Sequence, residues 1–95
     1  MKTSSHKKQL VITSKFTKDL KKLPNYIVKE AYNVSQKLCV DPFHNELDVL
    51  KLTGFSKIYR VIIKHDYRLI FTFDELNIIF LRLAHRKDIY KNLEF

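Results

Sequence analysis

The stretch "KIYRVIIKHDYRLIFTFDELNIIFLRLAH" (57–85) changes the period of the chain from helical to extended. Three runs within it, 57–64, 67–73 and 77–85, are dense in β-branched and aromatic residues, the types that fit a pleated, half-buried surface. The breaks between them, "HD" and "DEL", are of hairpin length. The stretch therefore predicts a three-stranded antiparallel meander. A meander with one apolar face needs a second layer to cover it.

That layer lies upstream. "QLVIT" (9–13) reads as a short strand. Ser14 can cap a helix in which Phe16, Leu20 and Leu23 fall on one face, with Lys15, Lys18, Lys21 and Lys22 on the rest. Pro24 suits the first turn of a second helix, along which Ile27, Ala31, Val34 and Leu38 keep the helical spacing. Pro42 in "DPFHNE" stops that pattern, and Gly54 permits a turn before the meander. The predicted order is β-α-α-β-β-β. It describes an α+β domain with an antiparallel sheet packed on a helical hairpin.

Ninety-five residues fit one domain, read as 9–95 behind a flexible basic tail at 1–8. One glycine and two prolines exclude linker or low-complexity character. Eighteen Lys and Arg against ten Asp and Glu leave a net charge of +8. A balance this basic points to a polyanionic partner: nucleic acid, ribosome, an anionic membrane or an acidic protein. Cys39 is the only cysteine, so an internal disulfide and a zinc site built on several thiolates are both excluded. Its helical position reads as a small buried hydrophobe. The N-terminus lacks the apolar run of a signal peptide and no stretch approaches a membrane span, so a cytoplasmic protein without membrane attachment is expected.

Strict alternation assigns the strand side chains to two faces. One carries Tyr59, Val61, Ile63, Leu69, Phe71, Phe73, Ile79, Leu81 and Leu83, and is expected against the helices. The other collects Arg60, Lys64, Arg68, Arg82 and Arg86 together with Ile62, Ile70 and Phe80. A solvated outer face normally mixes both charge signs and carries fewer large apolar residues. This one reads as a binding face, with Lys57 at its margin as a further contact. Arginine suits phosphate because its planar fork donates paired hydrogen bonds and stays charged. Tyr90, just beyond Arg86, either stacks on an unpaired base or anchors the C-terminal segment.

The strings "FTKDLKKLP", "LKLTGFSKIYRVIIKHDYRLIF" and "IIFLRLAHRKDIYKNL" resemble the RelE/ParE superfamily of toxins from type II toxin–antitoxin modules. The likeness runs from about residue 10 to the C-terminus. It implies the family's small α+β fold, which resembles microbial ribonucleases and ends in a short helix. It further implies a RelE-type mRNA interferase, an endoribonuclease acting in the ribosomal A site by attack of the ribose 2′-OH on the adjacent phosphate. Arg60, Arg68, Arg86 and Tyr90 match the family's functional positions: a first cationic position, a phosphate-binding arginine, an arginine proposed to protonate the leaving oxygen, and a tyrosine that stacks on or orients the nucleotide. Where the best-studied members carry a lysine proposed as general base, this chain has Ile62. The alternative within the superfamily is a ParE-like, non-enzymatic inhibitor of DNA gyrase. Under both readings an antitoxin is the expected protein partner, with ribosome and mRNA added under the first.

The substitution at Ile62 leaves the proton-transfer groups open. Guanidinium scarcely releases a proton. A histidine, ordinarily titrating near ~6.5, suits acid or base, so His85 is a candidate, although alternation turns it toward the helix-covered face. Lys64 is a second candidate, since neighbouring positive charge favours its neutral amine. His65 falls in the hairpin turn beside Asp66 and is expected to be exposed. His6 and His44 show no metal-ligand spacing with the others, so neither a metal nor a small-molecule cofactor is expected.

Overall fold

The computed structural model describes residues 7–91 and 93–95; most of the N-terminal tail, 1–6, lies outside them. The elements are β1 (Gln9–Ile12), α1 (Ser14–Leu20), α2 (Asn25–Val40), β2 (Val49–Lys51), β3 (Tyr59–Ile63), β4 (Tyr67–Phe73) and β5 (Asn77–His85). They build one five-stranded sheet of order β1-β5-β4-β3-β2. β1 runs parallel to β5, and the other pairings are antiparallel. The α+β class and the meander follow the sequence reading; β2 is an addition to it. Its three residues pair with Tyr59–Val61 after a turn at Gly54, whose φ of 88° is costly for residues with a Cβ.

Thr13, not Ser14, caps α1. Its hydroxyl oxygen accepts from the Phe16 amide at 3.3 Å while its O–H donates to the Phe80 carbonyl at 2.9 Å. One side chain thus satisfies an orphan helix donor and ties the helix start to β5. The helical spacing in α2 is realised: Ile27, Ala31, Val34 and Leu38 are all buried, together with Phe16 of α1. They pack on Val61, Ile63, Leu69, Phe71, Ile78, Phe80 and Leu83 of the sheet. Cys39 packs against this core, and burial raises its thiol pKa against the opposing pull of Lys7. Such a thiol is structural rather than nucleophilic.

Alternation fails in β5. Phe71 pairs with Phe80 but Ile70 pairs with Arg82, so Leu81 is an extra residue without a partner on β4. This bulge resets the faces. Ile78, Phe80 and Leu83 meet the helices, whereas Ile79 and Leu81 join the opposite face. Phe80 is therefore core and does not belong to the cationic face; Ile79 and Leu81 move the other way. A single inserted position cannot be seen in a run whose residues are apolar at nearly every step.

The helix-distal face carries its own small core. Ile70, Leu81 and Ile89 are buried there, flanked by Leu52, Ile58, Ile79, Ala84 and Leu93. The C-terminal segment and the loop before β3 thus lie across part of the sheet, with the rings of Phe55 and Phe95 5.4 Å apart. Burying one side chain of the size of Ile89 contributes roughly 1.5–3 kcal/mol. Residues 86–91 form hydrogen-bonded turns, Ile89 N–H to the His85 carbonyl and Lys91 N–H to the Asp88 carbonyl, rather than the short helix expected.

Candidate active site

β5 leaves the sheet at a corner where its edge is no longer paired with β1. There Asp19 of α1 closes the gap. Its carboxylate accepts from Arg82 Nε at 2.8 Å, from Arg82 Nη2 at 3.0 Å and from the backbone N–H of Leu83 at 2.9 Å. Asp19 is 8% exposed. The planar fork and the fixed carboxylate make a two-point contact, and the Asp19 hydrogen bonds raise the already high pKa of Arg82. Arg82 Nη1 also donates to the Glu94 carbonyl. Arg82 is therefore drawn to the sheet edge and neutralised there, away from the other cations.

Four residues further on, the same strand ends in a different environment. Ile63 and Tyr67 are joined by Lys64, His65 and Asp66, with Lys64 and His65 at φ of 48° and 71°. Lys64 thus stands in the turn, exposed, and not on the strand face that alternation assigned to it. Left-handed backbone at non-glycine residues costs of order 1–3 kcal/mol and persists only where neighbours fix it. Here the Asp66 N–H donates to the Lys64 carbonyl at 2.7 Å, the Arg86 N–H donates to the Asp66 carbonyl at 2.7 Å, and Arg68 Nη1 donates to the His65 carbonyl at 2.8 Å.

The side chains converge on the same turn. Asp66 Oδ1 lies 3.1 Å from His65 Nδ1 and 3.6 Å from Arg86 Nε. The hydrogen bond with His65, followed by the charges of Arg86 and His85, holds the Asp66 carboxyl below the usual carboxylate range. The Arg86 side chain remains 51% exposed. Two guanidinium groups, Arg68 and Arg86, are thus anchored to one three-residue turn, and Arg86 still faces solvent.

Other expected members are placed differently. Arg60 is half-buried; its Nη1 donates to the Asp48 carbonyl at 3.0 Å and approaches that residue's carboxylate at 3.8 Å. Lys57, also at positive φ, presents its carbonyl to the Thr72 hydroxyl, about 13 Å along β4 from Arg68 at ~3.3 Å per residue. His85 is opposite Tyr67 on the helix-side register, with the rings edge-to-face at 5.3 Å. Its Nδ1 accepts from the Lys87 N–H at 3.1 Å, which leaves Nε2 as the proton-bearing nitrogen of the neutral ring. His85 and Tyr67 line an open cleft of about 530 Å³ that also touches Lys22, Asp88 and Lys91. Tyr90 is 48% exposed while its neighbour Ile89 is buried, so Ile89 anchors the segment and leaves the tyrosine ring accessible.

Comparison with known proteins decides the family. The profile described as the ParE toxin of the type II toxin–antitoxin system parDE matches residues 10–90. The chain belongs to the RelE/ParE superfamily of toxins. It is 32% identical over 89 residues to the toxin RelE3 of Methanocaldococcus jannaschii, covering 86% of this chain and 94% of that one. Its fold superposes on the RelB–RelE antitoxin–toxin complex from Methanococcus jannaschii with TM-score 0.73 and 29% identity, covering 88% of this chain and 99% of that one. The RelE–RelB complex from Pyrococcus horikoshii gives 0.72 and 25%, over 87% and 99%. This RelE/ParE toxin is thus a component of a type II toxin–antitoxin module. Among the described residues no helix is long and apolar enough to cross a membrane.

Two residues central to the toxin's geometry, Asp19 and Asp66, escaped sequence reading. Asp19 had a visible signal: it stands three residues after Phe16 and next to Leu20, an acid within the buried stripe of α1. An acid in that place needs a cation, because burying a charge is costly unless it is paired. Asp66 had none, since Asp is ordinary in a hairpin turn.

Proposed function

We propose that this toxin is a ribosome-dependent mRNA endonuclease that inhibits translation by promoting 2′-OH attack on the adjacent phosphate. The observation that carries the reading is the pair of guanidinium groups, Arg68 and Arg86, anchored to one rigid turn beside the exposed Tyr90 ring. Phosphoryl transfer of this kind needs charge stabilisation on the non-bridging oxygens, and a preorganised donor is worth on the order of 10²–10³ in rate. Arg86 offers its fork to a phosphate and Arg68 holds the turn that positions it. Tyr90 supplies the ring on which an unstacked base lies. Arg60 adds positive field from its tether to Asp48. Arg82 contributes by holding the end of β5, and Lys57 lies too far along the sheet to join this cluster. His85, whose neutral ring carries its hydrogen on Nε2, is suited to donate a hydrogen bond to a phosphate oxygen.

The partner proteins on this reading are the ribosome and a cognate antitoxin. The chain's net charge of +8 favours an acidic or amphipathic antitoxin that covers the basic turn or lifts the C-terminal segment. A neighbouring reading frame for a short acidic protein that co-purifies with the toxin is the expected finding.

The test is incubation of the purified toxin with mRNA, with and without ribosomes. Cuts within codons that require ribosomes support the proposal; intact message in both arms refutes it. A ParE-like block of DNA gyrase is the second reading, favoured by the ParE description of the matching profile and by Ile62 in place of the lysine base. Cleaved gyrase–DNA complexes in expressing cells with intact mRNA would establish it instead.

A further inference from the structure

We propose that His65 is the general base of this toxin, with Asp66 as the residue that positions it. The inference rests on the endonuclease reading above and names the group that Ile62 leaves missing. His85 is the wrong partner for the task, because its Nδ1 accepts a backbone N–H and its Nε2 therefore carries the proton. His65 has the opposite arrangement. Its Nδ1 lies 3.1 Å from Asp66 Oδ1, and an ionised carboxylate can only accept, so Nδ1 must donate. The lone pair then resides on Nε2, on a ring that is 86% exposed. Carboxylate, imidazole and free Nε2 form the base half of the arrangement by which a third group orients a histidine.

The surroundings argue that the dyad is built rather than incidental. His65 is held at φ 71°, a left-handed conformation uncommon among residues with a side chain. Its carbonyl accepts from Arg68, its carboxylate partner approaches Arg86, and the Asp66 carbonyl accepts the Arg86 N–H. A phosphate bound by Arg86 therefore lies beside the same carboxylate that orients His65. The charged and titratable groups facing the dyad are Lys64 in the turn, Arg68 of β4, and His85 and Arg86 at the end of β5.

The step balances without a metal or co-reactant. Nε2 of His65 takes the 2′-OH proton as O2′ forms its bond to phosphorus. The P–O5′ bond breaks, O5′ leaves with the bonding pair and takes a proton from water, and the imidazolium returns its proton to solvent. The products are a 2′,3′-cyclic phosphate and a 5′-hydroxyl.

Cleavage of ribosome-bound mRNA by the wild-type toxin and its His65→Ala, His65→Asn, Asp66→Asn and Arg86→Ala variants, from pH 5 to 8.5, tests the assignment. Asn tolerates the left-handed backbone, so His65→Asn guards against a loss that reflects the turn alone. Both His65 variants should lose about a hundredfold or more in rate, abolish the acid limb of the pH profile, and regain activity with added imidazole. Asp66→Asn should keep the fold and lower the rate while changing the pH profile, because its amide stabilises the wrong tautomer. His65 variants within about threefold of wild type, beside an inactive Arg86→Ala, would overturn the assignment and leave the endonuclease reading intact. A wild-type toxin that never cuts mRNA would overturn both.

Discussion

Arg82 within β5 and Arg86 just past its end stand four residues apart, and they meet their acids in opposite ways. Arg82 is clamped by Asp19 at 2.8 and 3.0 Å in a mostly buried corner, with the Leu83 amide on the same carboxylate. Arg86 stands 3.6 Å from Asp66, with both side chains about half exposed. The first arrangement spends its charge inside the fold. The second keeps a guanidinium fork available while its backbone is fixed. A count of cations on a sheet face cannot separate these cases.

The widest consequence of the difference is in stability. Asp19→Ala removes one partner of a mostly buried pair and strands both Arg82 and the Leu83 amide. Chemical denaturation should show a loss of about 3–5 kcal/mol, whereas Asp66→Ala, in an exposed pair, should cost far less. Equal losses would erase the contrast. Next comes activity. Arg86→Ala should lower ribosome-dependent cleavage by about a hundredfold or more with little change in melting temperature. Tyr90→Ala should cost about tenfold, the scale of one base–aromatic stack, and a rate equal to wild type would return Tyr90 to a bystander beside Ile89.

The smallest expected effect concerns pH. The Asp66 carboxyl is held below its ordinary value, first by His65 and then by Arg86 and His85. A carboxylate so lowered favours the folded site above its unfolded pKa, near ~3.9, and loses that contribution as pH falls through the lower folded value. Stability measured from pH 5 to 8 should therefore show no step from Asp66, and one should emerge only below about pH 4. An acid step below about pH 4 that is left unchanged by Asp66→Asn would contradict this geometry.

The elements that were legible in sequence share a cause. α2 announced itself because Ile27, Ala31, Val34 and Leu38 keep the helical spacing within a helix of 16 residues, and the hairpins did so because their breaks are short. The family was readable for the same reason, since the 57–90 strings keep order as well as composition. What stayed hidden depends on long-range geometry. Leu81's bulge reassigns a face without altering composition. The covering of Ile70 by Ile89 joins positions nineteen apart across a strand and a turn, so apolar residues taken as a sign of ligand binding are partly a second core. Arg82 looked like its neighbours until Asp19, sixty-three residues away, claimed it. Ionic partners on another element leave no periodic trace.

The most direct test of the account is a matched pair, Arg82→Met and Arg86→Met, each assayed for ribosome-dependent cleavage per folded molecule and for melting temperature. Arg82→Met should melt lower yet cleave at the wild-type rate once the folded fraction is allowed for, while Arg86→Met should melt with wild type and lose cleavage. An Arg86→Met toxin that still cuts mRNA normally, beside a fully folded Arg82→Met that does not, would contradict it.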